Sequence, residues 1–205
     1  MDIYDRYILP FFINLACGTG VFRQQRAKLV TQARGVVLDV GAGSGHNFPF
    51  YDPKLVEKLY ALEPSAGMRK LAAKRAQALA FPLEWLDLPG EQIPLADASV
   101  DTVVLTFTLC TIPDWQSALA QVSRVLKPDG RLLFCEHGLA PEPAVQRWQH
   151  RLNPGWKKCA GGCHLNRPIV DYLREAGFTI QQLDAGYLPK TPRIAGFVSA
   201  GIATR

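Results

Sequence analysis

From residue 36 onwards, short apolar runs alternate with longer segments whose apolar positions recur at helical spacing. The runs are too short for helices and are rich in Val and Leu, which favours buried strands. We predict five strands in this way, at residues 36–40, 58–62, 82–86, 101–106 and 131–136. The intervening segments predict helices near residues 46–50 and over residues 65–79 and 115–126. Ser65 is a suitable N-cap for the second helix, and a Pro-Asp-Gly turn follows the third.

The remaining third of the chain predicts one more helix and two more strands. The helix covers residues 167–176 and stops at Gly177, and the strands cover residues 178–183 and 194–203. No helical pattern separates these strands, so we expect them to pair antiparallel. The whole order predicts an α/β fold: a Rossmann-like, doubly wound, seven-stranded sheet, mostly parallel with an antiparallel C-terminal hairpin. Ligands of such sheets bind at the carboxyl ends of the strands.

The first 33 residues precede this alternation and predict two helices, at residues 2–16 and 20–33. The first is amphipathic, which has two interpretations. It packs on its own domain, or residues 1–33 form a helical lid over a substrate pocket and also contact a membrane surface. Its apolar stretch is shorter than the roughly 20 residues of a spanning helix, and no basic segment precedes it. We therefore expect neither a transmembrane helix nor a secretion signal.

Composition narrows the class of protein. The chain has 205 residues, enough for one sizeable core, and we expect a single domain over residues 1–205. The net charge of +5 comes from scattered Lys and Arg without a basic run, so a nucleic-acid partner is not indicated. The five cysteines are unevenly spaced, which does not indicate a disulfide framework. We expect a cytoplasmic protein, and the amphipathic N-terminus allows peripheral contact with the inner membrane.

A glycine-rich loop follows the first predicted strand. Gly41, Gly43 and Gly45 are spaced two apart, and glycine permits a sharp turn and a close approach by a ligand. Asp39 stands just before the loop, where it can accept hydrogen bonds from a cationic amine. Glu63 ends the second strand about twenty residues later, where an acidic residue binds ribose hydroxyls. The alternative is a tight strand-to-helix turn that binds no ligand.

This combination of strand, loop, helix, strand and acidic residue resembles motif I of the class I S-adenosylmethionine (SAM) methyltransferases. Residues 90–101 resemble a stretch of the ubiquinone and menaquinone methyltransferase type, within what is identified as a methyltransferase type 11 domain. Many relatives have an acidic residue at the position of Pro89, so the resemblance leaves the adenine amine to Glu91 and a ring nitrogen to the Gly90 amide. The cofactor-binding residues that the resemblance implies are Asp39, Gly41, Ala42, Gly43, Ser44, Gly45, Asn47, Glu63, Pro64, Met68, Gly90, Glu91 and Thr106.

A closer resemblance is to the methyltransferase-like 7 proteins, which are thiol S-methyltransferases. It rests on residues 7–11, 108–112, 135–137, 153–156 and 162–165. It implies SAM as cofactor, S-adenosylhomocysteine (SAH) as product and a small thiol as methyl acceptor. A lipid headgroup or a quinone precursor is the alternative acceptor. Two other functions stay open, a SAM-binding module without catalysis and nicotinamide binding, although the loop spacing disfavours the second.

Three residues are candidates for the chemistry. His137 follows the fifth strand and is the first candidate for the base that takes the thiol proton; its alternative is a structural histidine. Glu136 could orient His137 or face the cofactor amine. Cys110 ends the fourth strand, where acceptor and methyl donor should meet, although a free cysteine is more often a small buried apolar residue.

Residues 137–168 break the alternating pattern and predict an insertion that carries substrate contacts. Trp148 and Trp156 could form the wall of an apolar acceptor pocket or fill the core. Cys159, Cys163 and His164 could bind a metal, but their spacing is not that of a zinc pair. Methyl transfer from SAM needs no metal, and we expect none.

Overall fold

The computed structural model describes residues 9–205. The predicted helix over residues 2–16 therefore lies partly outside the described residues. Seven helices are found in the described part: α1 (Leu9–Cys17), α2 (Gly20–Leu29), α3 (Ala66–Gln77), α4 (Trp115–Val125), α5 (Pro143–Cys159), α6 (Ile169–Glu175) and α7 (Arg193–Gly196). Seven strands form the sheet: β1 (Gly35–Val40), β2 (Val56–Leu62), β3 (Leu83–Leu86), β4 (Val100–Thr106), β5 (Leu126–His137), β6 (Thr179–Tyr187) and β7 (Phe197–Thr204).

The seven strands form one sheet in the order β3-β2-β1-β4-β5-β7-β6. All neighbouring pairs from β3 to β5 are parallel, whereas β7 pairs antiparallel with both β5 and β6. The doubly wound, mostly parallel sheet with an antiparallel C-terminal hairpin is confirmed. The chain leaves β1 towards β2 on one side and later returns to β4 on the other, so the carboxyl end of β1 is the switch point where ligands bind in such sheets.

Apolar side chains from both faces of the sheet form the core. Leu38, Val40 and Leu105 belong to one buried cluster, and Val37 and Val104 belong to the other. Alternate residues of a strand point to opposite faces, so strands covered by helices on both faces are apolar along their whole length. For this reason the apolar runs at residues 36–40 and 101–106 correctly predicted the central strands β1 and β4.

Four predicted elements differ clearly from the structure. β5 begins at Leu126, so the predicted turn at residues 128–130 lies within this strand. The helix expected near residues 46–50 is a single 3-10 turn, Phe48–Phe50. The strand expected over residues 194–203 begins at Phe197, because Arg193–Gly196 forms the short helix α7 between the two hairpin strands. The insertion over residues 137–168 contains a 17-residue helix, α5. Ser65 does cap α3, since its side chain accepts a hydrogen bond from the Met68 amide.

The helices of the described part are short. None of them combines the length and apolar character that crossing a lipid bilayer requires.

Candidate functional site

A cavity of about 540 Å³ opens at the carboxyl ends of β1 and β4, at the switch point of the sheet. The glycine-rich loop and the end of β2 form one wall, and residues from α1, α2 and the end of α5 form the other. The sequence-predicted cofactor residues that line it are Gly41, Ala42, Gly43, Ser44, Asn47, Glu63, Met68 and Thr106. The structure thus brings these residues together, and their contact with a cofactor stays a prediction.

The glycine-rich loop needs glycine at its first position for two reasons. Gly41 has φ +70°, in the left-handed region, and a Cβ there would lie 2.3 Å from Thr108 Cγ2. Gly43 has φ +56° but more room, since its Cβ would lie 3.7 Å from Met68 Cε. The loop therefore lies close against the start of the segment after β4, and it leaves space for a ligand above Gly43.

Glu63 is held in place by the loop that it faces. Its Oε2 accepts a hydrogen bond from the Gly43 amide at 2.9 Å, and its Oε1 accepts one from the Ser65 amide at 2.8 Å. Burial raises the pKa of Glu63, and the two amides oppose that rise. A carboxylate has about four acceptor positions, so capacity remains for the two hydroxyls of a ribose.

Asp39 lies beneath the cavity and does not line it. Both of its oxygens accept hydrogen bonds from Asn47 Nδ2 at 3.0 Å, and burial raises the pKa of Asp39 to about 6. Asn47 also bonds to Thr106 Oγ1. Asn47 bonds to the carboxylate and itself lines the cavity, so the contact of Asp39 with a cofactor amine stays a prediction.

Arg26 is a functional candidate that the sequence analysis missed. It is buried in α2 and lines the cavity, with Nε donating to Asn47 Oδ1 at 3.1 Å and Nη1 donating to the Cys17 carbonyl at 2.6 Å. Arginine has five N–H donors, so this cation can bind a carboxylate as well. The signal was present in the sequence, since Arg26 interrupts the apolar stripe formed by Phe22, Leu29 and Val30.

Four other predicted cofactor residues lie away from the cavity wall. Gly45 bends the loop with φ +76°, and Pro64 and Gly90 do not line the cavity. Glu91 Oε1 accepts a hydrogen bond from the Asp114 amide at 3.3 Å, at the N-terminus of α4. The assignment of Glu91 to the adenine amine stays a prediction that this geometry does not support, because its carboxylate is directed at a helix terminus that attracts negative charge.

Glu136 has a structural position. It is fully buried, and its oxygens accept hydrogen bonds from the amides of Thr108 (2.8 Å), Leu109 (3.0 Å) and Cys110 (3.2 Å). Burial raises its pKa to about 7 in spite of these three donors. Glu136 neither contacts a cofactor amine site nor bonds to His137, so we correct its role to holding the segment after β4.

His137 and Cys110 meet a third residue, Cys163, which the sequence analysis had grouped elsewhere. Cys163 Sγ lies 3.5 Å from His137 Nδ1 and 3.5 Å from Cys110 Sγ. The pKa of the Cys163 thiol lies below its usual value because its contacts with the Cys110 thiol and the His137 ring outweigh the effect of burial. None of the three lines the cavity, but their neighbours Thr111 and Gly162 do, so this sulfur–imidazole cluster stands directly behind the wall.

The insertion contributes to the cavity through its end rather than through its tryptophans. Lys157, Lys158, Gly161 and Gly162 line the wall opposite the glycine-rich loop. Trp148 and Trp156 are exposed, so they do not fill the core, and neither lines this cavity. Their place in the wall of an acceptor pocket stays a prediction. From the N-terminal region, Ile13, Cys17 and Arg26 also line the cavity. The role of residues 1–33 as a lid stays a prediction.

Comparisons with known proteins agree with this geometry. Residues 38–134 match the family described as a methyltransferase domain. The thiol S-methyltransferase TMT1B of Rattus norvegicus is 34% identical over 86% of this chain and 75% of its own length. The protein of the same name from Homo sapiens is 32% identical over the same shares, 86% and 75%. A SAM-dependent methyltransferase from Aquifex aeolicus has a TM-score of 0.63 at 19% identity, covering 95% of this chain and 97% of that one, a likeness of fold alone.

Proposed function

We propose that this chain, which belongs to the class I SAM-dependent methyltransferases, transfers the methyl group of SAM to the sulfur of a small thiol. The family is shown by 34% identity to a thiol S-methyltransferase over 86% of the chain, and it brings SAM as cofactor and SAH as product. The thiol acceptor is the proposed part. The observation that carries it is one cavity that joins the glycine-rich loop and Glu63 to a wall backed by the sulfur–imidazole cluster.

The residues of the cavity fit the three parts of SAM. We assign the ribose hydroxyls to Glu63, whose carboxylate is already oriented by two amides. We assign the methionine carboxylate to Arg26, the buried cation of the cavity wall. Met68 lies beside the loop and gives an apolar surface for the adenine. The methyl-bearing sulfur then lies between these sites.

We assign the methyl acceptor to the part of the cavity that the three parts of SAM leave free. Opposite the loop lie Thr111 and Gly162, with Cys110, His137 and Cys163 behind them. SAM supplies the electrophilic methyl group in an in-line displacement, so the protein has only to position the acceptor and remove its proton. A free thiol has a pKa near 8.5, so modest activation suffices. We assign that activation to the cluster, of which His137 is one member.

We place the activity in the cytoplasm, at the surface of the inner membrane. α5 exposes Trp148 (55%) and Leu152 (41%), four residues apart on one face, and carries the cations Arg147, Arg151, Lys157 and Lys158. An apolar face bordered by cations fits an anionic bilayer surface. The last two cations also line the cavity, so a bilayer on this face would lie near the acceptor end.

This face supports a second candidate acceptor. Because a docked bilayer would reach the acceptor end, N-, O- or C-methylation of a lipid headgroup or a quinone precursor is the alternative to S-methylation. A SAM-binding module without catalysis is the candidate from another class. It has the same cofactor half, so only a turnover measurement separates it from the two enzymes.

A panel assay tests the proposed acceptor. The protein is incubated with methyl-labelled SAM and, separately, a simple alkyl thiol, a lipid extract and buffer, and the products are identified by mass spectrometry. We expect a labelled thioether from the thiol and no labelled lipid. Labelled lipid together with an unmodified thiol would show that the acceptor is a lipid or quinone precursor rather than a thiol. Tight SAM binding with no labelled product in any sample would support the alternative that the protein is a SAM-binding module without catalysis.

A further inference from the structure

Three residues from distant parts of the chain bring metal-binding atoms together. Cys110 follows β4, His137 ends β5 and Cys163 follows α5. Among residues 9–205, these are the His, Cys, Asp or Glu side chains whose ligand atoms converge, all within 4.8 Å of one another. The local spacing of Cys159, Cys163 and His164 gave no such site, because only one of those three belongs to it.

The distances in the cluster are close to those of a tetrahedral zinc site. Zinc binds cysteine sulfur at about 2.3 Å and histidine nitrogen at about 2.0 Å, which puts neighbouring ligands about 3.5–3.8 Å apart. Cys163 Sγ lies 3.5 Å from Cys110 Sγ and 3.5 Å from His137 Nδ1. The third edge, between Cys110 and His137, is at most 4.8 Å.

The scaffold holds the ligands in place before any metal binds. Cys110 is 2% exposed and its amide is bound by Glu136, while His137 is 7% exposed and pairs with Val198 in the sheet. His137 Nδ1 is the ring nitrogen that faces Cys163 Sγ, and Nε2 has no hydrogen-bond partner in the described part of the chain. A metal on Nδ1 would require the ring proton to lie on Nε2. Cys163 alone stands at a partly exposed position, beside Gly162 in the cavity wall.

We propose that Cys110, His137 and Cys163 bind one zinc ion whose fourth coordination position receives the sulfur of the acceptor thiol. Three protein ligands with an open fourth position are the pattern of catalytic zinc sites. The metal site stands on the geometry of the cluster, and the acceptor position rests on the proposed thiol function.

The chemistry at such a site balances without a further reactant. A water or hydroxide fills the open position until the acceptor arrives. The acceptor S–H bond breaks as its sulfur replaces hydroxide, and the proton leaves with that hydroxide as water, because a coordinated thiol is deprotonated. The sulfur then forms a bond to the methyl carbon as the bond between that carbon and the SAM sulfonium breaks. SAH and a neutral thioether then leave. A water that refills the open position would lose one proton to solvent and restore the hydroxide, so the overall products are SAH, the thioether and one proton.

Metal content of the full-length protein tests the site. The protein is purified under reducing conditions without chelator, dialysed and analysed by inductively coupled plasma mass spectrometry. We expect about one zinc per chain, as for a preformed structural or catalytic site, and loss of most of it in Cys110→Ser and Cys163→Ser. Cys159→Ser, four residues from the ligand position, is the matched control and should keep its zinc. Cys163→Asp should regain part of it, since a carboxylate also binds zinc.

A thermal shift with SAH shows whether each variant is folded. A wild-type protein that holds no zinc, or a zinc content unchanged in folded Cys110→Ser and Cys163→Ser, would overturn the site. A Cys110–Cys163 disulfide in protein purified without reducing agent, together with no zinc under reducing conditions, would assign the pair to redox chemistry instead.

Cobalt substitution tests the open position separately. Tetrahedral Co²⁺ with thiolate ligands has intense visible bands that respond to a new sulfur ligand. Adding an alkyl thiol to the Co²⁺ protein with SAH bound should intensify and shift these bands, whereas the matching alcohol should not. Unchanged bands with a thiol that is methylated would refute the acceptor position and leave the proposed function standing. Zinc binding without any methylated thiol would refute the proposed thiol function and leave the metal site standing.

Discussion

Glu63 illustrates how much of the cofactor half depends on single side chains. It was found from the sequence because an acidic residue at the end of the second strand has a specific use, and the structure orients it with two amides. Arg26 was missed although it interrupts an apolar helical stripe, because a buried arginine is uncommon and the stripe alone indicates packing. The sequence analysis named Cys163 but gave it the wrong partners, since Cys110 and His137 are distant in sequence and only the folded sheet brings them to it.

Replacing Glu63 tests the ribose assignment. Glu63→Gln keeps the shape but gives up one of the charged acceptor oxygens, and hydrogen bonds to charged groups contribute about 1.5–3 kcal/mol. We expect SAM affinity to fall about 10- to 100-fold by isothermal titration calorimetry. Glu91→Gln is the matched control, because Glu91 bonds to the Asp114 amide away from the cavity. Equal losses in the two variants would contradict the assignment.

Replacing Arg26 tests the carboxylate assignment. Arg26→Gln removes the cation but keeps a donor for Asn47, so we expect weaker binding of SAM and SAH, by about 10-fold or more. The loss should be much smaller for 5′-methylthioadenosine, which has no carboxylate. Lys28→Gln changes an exposed cation of the same helix and serves as the control. If Arg26→Gln weakened all three nucleosides equally, the cation would be structural.

Asp39 links stability to pH. Burial raises its pKa to about 6 in the folded protein, from about 3.9 in an unfolded chain, so the folded state binds more protons between these values. Its contribution to stability is fully present below pH 4 or so and is lost as the pH rises through about 6, by roughly 3 kcal/mol. Asp39→Asn lacks this loss. The difference in unfolding free energy between the two proteins, from urea titrations at several pH values, should therefore change by that amount across the window. A constant difference would show that folding does not raise the pKa of Asp39.

At the scale of elements, regular patterns were predictable and interrupted ones were not. The central strands β1 and β4 are rich in Val and Leu, a composition that is typical of buried parallel strands. Helix α5 contains Pro154 and Gly155, both of which disfavour a helix interior, so tertiary packing outweighed local propensity. The proline at the start of α5 is compatible with a helix, since the first turn of a helix does not need its missing N–H. The end of α5 then carries the lysines of the cavity wall and leads to Cys163.

The exposed face of α5 predicts membrane association. Trp148→Ser combined with Leu152→Ser removes two exposed apolar side chains, and we expect binding to anionic phospholipid vesicles to weaken severalfold in a sedimentation assay. Leu71→Ser is the control, because Leu71 is also exposed (38%) but lies in α3. Binding that is unaffected by the double change and lost with Leu71→Ser would place the membrane contact elsewhere.

For the whole molecule, the sequence order of strands and helices determined the fold, and the fold determined where to look for a site. The cavity lies at the switch point beside β1, between the glycine-rich loop and the end of α5. What the order of elements could not predict was which side chains reach that cavity. Asp39 and Glu136 belong to the strands that end at the cavity, but both are buried and do not line it. Arg26 and Lys157, which are far apart in the sequence, both line it.

A crystal structure of the protein with SAH measures the central claim most directly. We predict the ribose hydroxyls on the Glu63 carboxylate, the amino-acid carboxylate on Arg26, and the sulfur directed towards Thr111 and Gly162, in front of the sulfur–imidazole cluster. A nucleoside bound at another edge of the sheet, or an SAH sulfur directed away from Thr111 and Gly162, would contradict the account.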